Sequence, residues 1–166
     1  SPDMIGGGEY TCFLNGNENA CTPEMFVRYA QIAALMPVMQ FSASPWRVLP
    51  EADFQKVKDA LALREKCLPE ILKAVECAKV TGEPIVRSME FVFPGQGMER
   101  VMDQFMVGED LLVAPVWKQG EVARSVRLPE GQWRCVGLGE TEGDVLNGGR
   151  DVILGENEGL VVLKRV

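Results

Sequence analysis

An α/β segment running into an all-β segment is the fold class this sequence predicts, and three observations predict it. Apolar residues recur at helical spacing between Thr22 and Thr81. The period shortens after Gly82. The remainder reads as short strands separated by Gly- and Pro-containing turns.

The first twenty-one residues are loop-like, with Gly6, Gly7 and Gly8 and then Asn15-Gly16-Asn17; such clusters favour turns. Thr22 is an N-cap, Pro23 takes the first helical position and Glu24 sits in the first turn. Met25, Tyr29, Ile32, Ala33 and Met36 make one apolar face, and Pro37 ends the helix. Val38 to Phe41 is a short apolar run suited to a buried parallel strand. It ends in a polar turn, Ser42 to Ser44, followed by Pro45, Trp46 and Arg47. A strand that exits into a polar loop with an aromatic is how a (β/α) barrel presents groups to a ligand.

Asp53 to Thr81 is helical. Phe54, Val57 and Leu61 form a stripe that Leu68, Ile71, Leu72, Val75 and Ala78 continue, and Pro69 kinks or breaks it. Gly82 is a fitting helix stop with Pro84 beyond. After it, Ile85 to Phe93 is β-rich, and strands over 104–107 and 111–116 flank Gly108-Glu109-Asp110. Residues 125–128 alternate polar and apolar; 129–131 turns into a strand over 133–136; 152–154 and 160–163 follow. Such spacing suggests an antiparallel sandwich or barrel. The domain boundary therefore falls near Gly82, with residues 1–82 as α/β and 83–166 as all-β. The first part is too small to be a complete α/β domain, because two helices around one strand leave apolar faces uncovered.

Composition narrows the chemistry. Of 166 residues, 46% are apolar and 25% charged, a globular balance. A net charge of −7 argues against nucleic acid and anionic membrane partners, and no run approaches a membrane helix. The absence of histidine removes the commonest general base, every Ser-His or Cys-His pair and most catalytic zinc sites; no metal or other cofactor is expected. Cys12, Cys21, Cys67, Cys77 and Cys135 lack C-x-x-C spacing, so buried or free thiols are expected, with a Cys12–Cys21 loop disulfide as the alternative.

Five blocks then carry a resemblance. They are Pro2 to Gly7; Arg28-Tyr29-Ala30-Gln31 through Pro37; Met39 to Ser42 with Pro45-Trp46-Arg47; Gly82 to Arg87; and Asp103 to Gly108 with Leu111 to Val116. The chain resembles the C-terminal part of glycoside hydrolase family 31, the retaining α-glycosidases built on a (β/α)8 barrel. The resemblance implies that residues 1–82 are the last strand–helix units of that barrel. Residues 83–166 are then the proximal C-terminal β-sandwich. It also implies an oligosaccharide or α-glycoside substrate in the intact protein.

Retaining hydrolysis needs two carboxyl groups roughly 5–5.5 Å apart. In the family both lie upstream of this region, the nucleophile being an Asp shortly after a Trp. Trp46, Trp117 and Trp133 are followed by Arg, Lys and Arg, and no Trp-x-x-Asp occurs. The carried-over catalytic set is empty, and the chain alone is expected to be inactive.

Three residues remain as candidates for substrate binding. Asp3 bonds sugar hydroxyls or orients a catalytic partner; otherwise it stabilises the Gly-rich turn. Ser42 stands where many family members carry a sugar-contacting histidine, so the family's usual substrate class does not transfer; otherwise it is a solvated turn residue. Trp46 stacks on a pyranose face or wedges the last helix against the barrel. Arg47 reads as structural, pairing with an acid across the loop. A competing reading is a non-catalytic carbohydrate-binding or scaffolding module, which would need exposed aromatics such as Trp117 and Trp133 on one sheet face. The opening without an initiator Met also suits a truncated product.

Overall fold

Thr22 starts the first helix as its position before Pro23 dictates. Its hydroxyl accepts a hydrogen bond from the Met25 amide at 3.2 Å, and α1 spans Pro23–Ala34. The computed structural model describes residues 2–7, 21–137, 142–154 and 160–166. The buried face of α1 differs from the one expected. Phe26, Val27, Ala30, Ala33 and Ala34 point inward, whereas Met25 is 60% exposed. Phe26 stacks on Phe41 with ring centroids 6.2 Å apart, and the alanines allow close helix approach. Of the expected face only Ala33 is fully buried, with Tyr29, Ile32 and Met36 half-buried. Leu35 caps α1, and Met36 and Pro37 lead out directly after it.

A four-residue turn of helix, α2 (Pro45–Val48), precedes α3 (Glu51–Thr81). This long helix begins two residues earlier than expected, with Glu51 and Asp53 in its first turn. Its buried stripe is Val57, Ala60, Leu63, Cys67, Ile71 and Ala74. Leu61, Leu68 and Leu72, expected inside, are exposed. Pro69 does not break the helix, which runs on to Thr81 and is 31 residues long in all. Pro69 and Glu65 are both exposed, so the carbonyl that loses its i→i+4 partner meets water. Gly82 closes the helix at φ +77°, its amide bonding the Ala78 carbonyl at 2.9 Å.

Arg64 joins α3 to α1. Its Nη1 donates to the carbonyls of Ala34 (2.7 Å) and Met36 (2.6 Å), and its Nη2 to that of Pro37 (3.0 Å). These carbonyls lie past the last helical hydrogen bonds of α1, and a guanidinium fork satisfies several at once.

Beyond Gly82 the chain is antiparallel sheet. The strands are β1 (Val86–Ser88), β2 (Phe105–Val107), β3 (Leu111–Pro115), β4 (Arg124–Leu128), β5 (Gln132–Cys135), β6 (Val145–Asn147), β7 (Arg150–Leu154) and β8 (Leu160–Arg165). Six form one sheet in the order β1-β2-β3-β8-β5-β6, and β4 pairs with β7 in a second. The expected strands on either side of Gly108 form the β2–β3 hairpin, with Met106 opposite Leu112 and Gly108 at φ +61° in the turn. The β-rich reading of 85–93 holds only to Ser88. The Ser88 hydroxyl then caps a short helix, α4 (Met89–Val92), by accepting from the Phe91 amide at 3.3 Å. The turn at 129–131 carries the chain from one sheet to the other, since β4 pairs with β7 rather than β5.

The six-stranded sheet is a middle layer. Leu111, Val113, Leu160 and Val162 face α3 and the end of α1, in one core with Ala60, Leu63, Cys67 and Ile71. Leu112, Ala114, Val161 and Leu163 face the opposite way, packing with Val126, Leu128 and Trp133. Both sides of β3 and β8 are covered, which is why these antiparallel strands read as unbroken apolar runs. Gln104 bridges the two sheets by imitating a strand: its amide nitrogen donates to the Arg127 carbonyl at 3.0 Å and its oxygen accepts from the Arg127 amide at 2.8 Å. Arg124 binds the carbonyls of Asp103 (2.7 Å) and Pro115 (2.8 Å) and the Asp103 carboxylate (2.6 Å).

Cys67 and Cys77 are free thiols; Cys12 lies outside the described residues, and with it the alternative Cys12–Cys21 pairing. No helix among the described residues is long and apolar enough to cross a membrane.

Replacing Arg64 by Met is expected to lower the unfolding free energy by about 2–4 kcal/mol, because the orphaned carbonyls stay partly buried. Lys, with a single nitrogen, should restore only part. Denaturant titration of the three proteins checks this, and equal midpoints for parent and Met variant would refute it. A second expectation concerns pH. Burial first, then Glu70, pushes the Cys67 thiol up to about 11 from 9.0, against the pull of Lys66 and Lys164. The folded chain thus holds this proton more tightly than the unfolded one. The resulting stability is complete below about pH 9 and is lost as pH rises toward 11. Cys67→Ala should lack that component of alkaline destabilisation, read as a shallower fall of unfolding free energy across the same interval.

Candidate functional site

The site is built on a parallel pair of short extended segments. Ile5 bridges Phe41 in parallel, with the Ile5 amide bonding the Gln40 carbonyl at 2.9 Å and the Ser42 amide bonding the Ile5 carbonyl at 2.8 Å. The expected buried strand over 38–41 is corrected to this single bridge, with Val38 and Gln40 exposed. Among the described residues it has one parallel neighbour, and a strand with one neighbour stays open on the other side. α1 connects the pair and covers it: Ile5, Phe26, Val27, Ala30, Ala33 and Val57 share a core with Phe41, Ala43, Val48 and Leu49 around it.

Gly6 turns the chain at the end of the first segment. Its φ is +72°, and a Cβ there would lie 2.6 Å from a ring carbon of Phe26. The Gly7 amide closes the turn on the Met4 carbonyl at 2.8 Å.

The three candidates fall at different levels. Asp3 precedes the bridge by two residues and is exposed. Its Oδ1 accepts from the Met4 amide at 2.7 Å, and its charge adds to burial in raising the Tyr29 pKa. Ser42 follows the bridge directly and is exposed, anchored through its backbone. Trp46 lies on α2, 67% exposed, its ring edge-on to Phe54 at 6.5 Å. Most of its indole faces outward, and its packed edge meets α3 through Phe54. Among the described residues Arg47 forms no ion pair, so the expected pairing with an acid is corrected; its backbone amide bonds the Ser44 carbonyl at 3.0 Å. The described residues hold no cluster of three potential metal ligands.

The tryptophan platform that a carbohydrate-binding module would need is absent among the described residues. Trp133 is 0% exposed; its Nε1–H donates to the Pro129 carbonyl at 3.0 Å and its ring meets Phe93 edge-on.

Sequence reasoning missed a link between α1 and the β3–β4 loop. The Gly120 amide donates to Glu24 Oε1 at 2.8 Å, and Arg28 Nη2 donates to the Glu121 carbonyl at 2.5 Å. No local pattern announces it, because the partners are 93 and 96 residues apart and the acceptor and donor on the loop are backbone groups.

A model of the glycosyl hydrolase family 31 C-terminal domain matches residues 82–152. The chain thus carries the C-terminal domain of family 31 over those residues. It is 38% identical over 136 residues to the myogenesis-regulating glycosidase of Mus musculus, covering 80% of this chain and 19% of that protein. It is 34% identical over 138 residues to the SITS-binding protein of Tetronarce californica, again covering 80% and 19%. The chain thus spans about a fifth of the length of these relatives. Among solved structures, a family 31 α-xylosidase from a soil metagenome, complexed with xylose, superposes with a TM-score of 0.77 at 28% identity, covering 86% of this chain and 25% of that one.

Gly6→Ala is expected to destabilise the chain by roughly 1–3 kcal/mol through backbone strain and collision with Phe26. Phe26→Leu in the same background should recover part of the loss, seen as a rise in Tm of the double variant over Gly6→Ala alone. No recovery would show that the ring is not the obstacle.

Proposed function

We propose that this chain is the C-terminal part of a retaining α-glycosidase that hydrolyses O-glycosyl bonds in substrates of the α-glucoside, α-xyloside or α-galactoside type. In this reading residues 1–82 are the last strand–helix units of a (β/α)8 barrel and residues 83–166 its proximal β-sandwich. The observation that carries it is the parallel Ile5–Phe41 bridge with α1 as the connection, in a chain that carries the family 31 C-terminal domain. Adjacent parallel strands joined through a helix are the repeating unit of such a barrel. Ligand-facing groups then emerge from the strand exits.

Ser42 and Trp46 lie on such an exit and are assigned to the substrate, Ser42 through a hydroxyl contact and Trp46 through its exposed indole. Asp3, upstream of the bridge and beside Tyr29, is assigned to orienting groups at that exit. The two catalytic carboxylates lie on chain outside these 166 residues, and the segment alone does not turn over substrate.

The complete polypeptide should hydrolyse aryl α-glycosides, and residues 1–166 alone should not. Trp46→Ala in the complete protein should raise KM several-fold, by the ~1 kcal/mol scale of one aromatic contact. Turnover by the isolated segment, or an inactive complete protein with intact fold, would overturn the reading.

A further inference from the structure

Trp117 is a large apolar side chain left in the open. It follows the fully buried Val116 at the end of β3, yet it is 56% exposed. Val122, on the same loop, is 61% exposed. Two bonds from α1 hold this loop by its backbone: Glu24 takes the Gly120 amide and Arg28 takes the Glu121 carbonyl. A loop fixed through main-chain groups keeps its side chains free to meet something else.

The end of the fold to which it is fixed matters. Glu24 lies in the first turn of α1. Phe26, in that same turn, meets Gly6 so closely that a methyl group there would collide. Ala43, next to Ser42, is 3.3 Å from the same added Cβ position. The chain therefore brings the exit of the first segment, the exit loop of the second and the first turn of α1 together. The tethered β3–β4 loop attaches at that same end, so Trp117 and the proposed substrate groups share one end of the molecule, although they come from the two halves of the chain.

The chemistry around the indole suits a sugar. An indole face accepts the apolar C–H face of a pyranose. Lys118 Nζ lies 5.5 Å from the Trp117 ring centroid, and its ammonium pairs with the Glu121 carboxylate at 3.3 Å. A donor and an acceptor thus border the ring, as hydroxyl groups require. We propose that Trp117 is a remote sugar-contact residue, carrying a unit of an α-linked oligosaccharide beyond the one being cleaved. This rests on the α-glycosidase reading, which supplies the substrate class. Because Trp117 sits on the β3–β4 loop and not on a strand exit, it is a contact for longer chains only.

The test uses the complete polypeptide with an aryl α-monoglycoside and α-linked oligosaccharides of two to five units. Trp117→Ala should lower the ratio of kcat/KM on the longest to that on the aryl substrate by about five- to tenfold, mostly through KM. Trp117→Phe should retain most of the ratio. Calorimetric titration with the same oligosaccharides should show the same chain-length-dependent loss of affinity. An equal fall on all substrates with a lower Tm would make Trp117 a packing residue and overturn the proposal; so would an unchanged ratio. A parent protein that binds the longer oligosaccharides through Trp117 without hydrolysing any substrate would sink the glycosidase reading and leave the sugar contact standing. A parent that neither binds nor cleaves would remove both.

Discussion

The structure depends on the guanidinium of Arg64. One side chain from the middle of α3 occupies three carbonyls at the end of α1. Those carbonyls precede the segment that bridges Ile5 and then opens into the exit loop. Where α1 stops, and where the second segment starts, is therefore set by a residue about thirty positions later in the chain. A planar, permanently charged group suits this place, because carbonyls at a helix end carry partial negative charge and cannot all be met by a single point donor.

The same helix then fixes the sheet. Lys66 binds the Gly137 carbonyl at 3.0 Å and pairs with Glu142; Glu70 pairs with Lys164, and Lys73 with Asp110 at 2.6 Å. Exposed pairs of this kind contribute little each, so the apolar seam beneath them carries the attachment. Cys67, Ile71 and Ala74 lie in that seam against Val107, Leu111 and Val113. Gly108 sits so close to Ala74 that its own added Cβ would lie 3.2 Å away. The charges decide which way the helix lies on the sheet more than how firmly.

Local rules made much of this legible. Thr22-Pro23 announced a helix start, Gly82 a helix stop, and the Gly108 turn a hairpin, because each is a backbone requirement met within four residues. The strand sequence of the second half was readable for the same reason, apart from β6, whose Val145-Leu146-Asn147 is too short to show a period. Apart from the short helix that Ser88 caps, what failed was whatever a distant partner decides. The face of α1 was placed off its true centre, with Phe26, Val27, Ala30 and Ala34 buried beside the expected Ala33, because two of these are alanines that a count of large apolar residues passes over. Pro69 leaves the helix unbroken, because its cost depends on whether one carbonyl meets water. Ser42 and Trp46 were nominated by a strand–turn–aromatic pattern and the family resemblance, while the Glu24–Gly120 and Arg28–Glu121 contacts had no pattern to find.

Helical phase adds a constraint on length. Arg64, Lys66, Glu70 and Lys73 lie within ten positions of one helix, the first gripping α1 and the others the sheet. Each residue of an α-helix advances about 1.5 Å and turns about 100°. One residue added or removed between Arg64 and Lys66 would swing the whole sheet around the helix axis relative to α1 and pull the β3–β4 loop off Glu24. Chain-length variation is thus tolerated in the connecting loops but not in this interval, where α3 works as a gauge that sets the angle between the two halves.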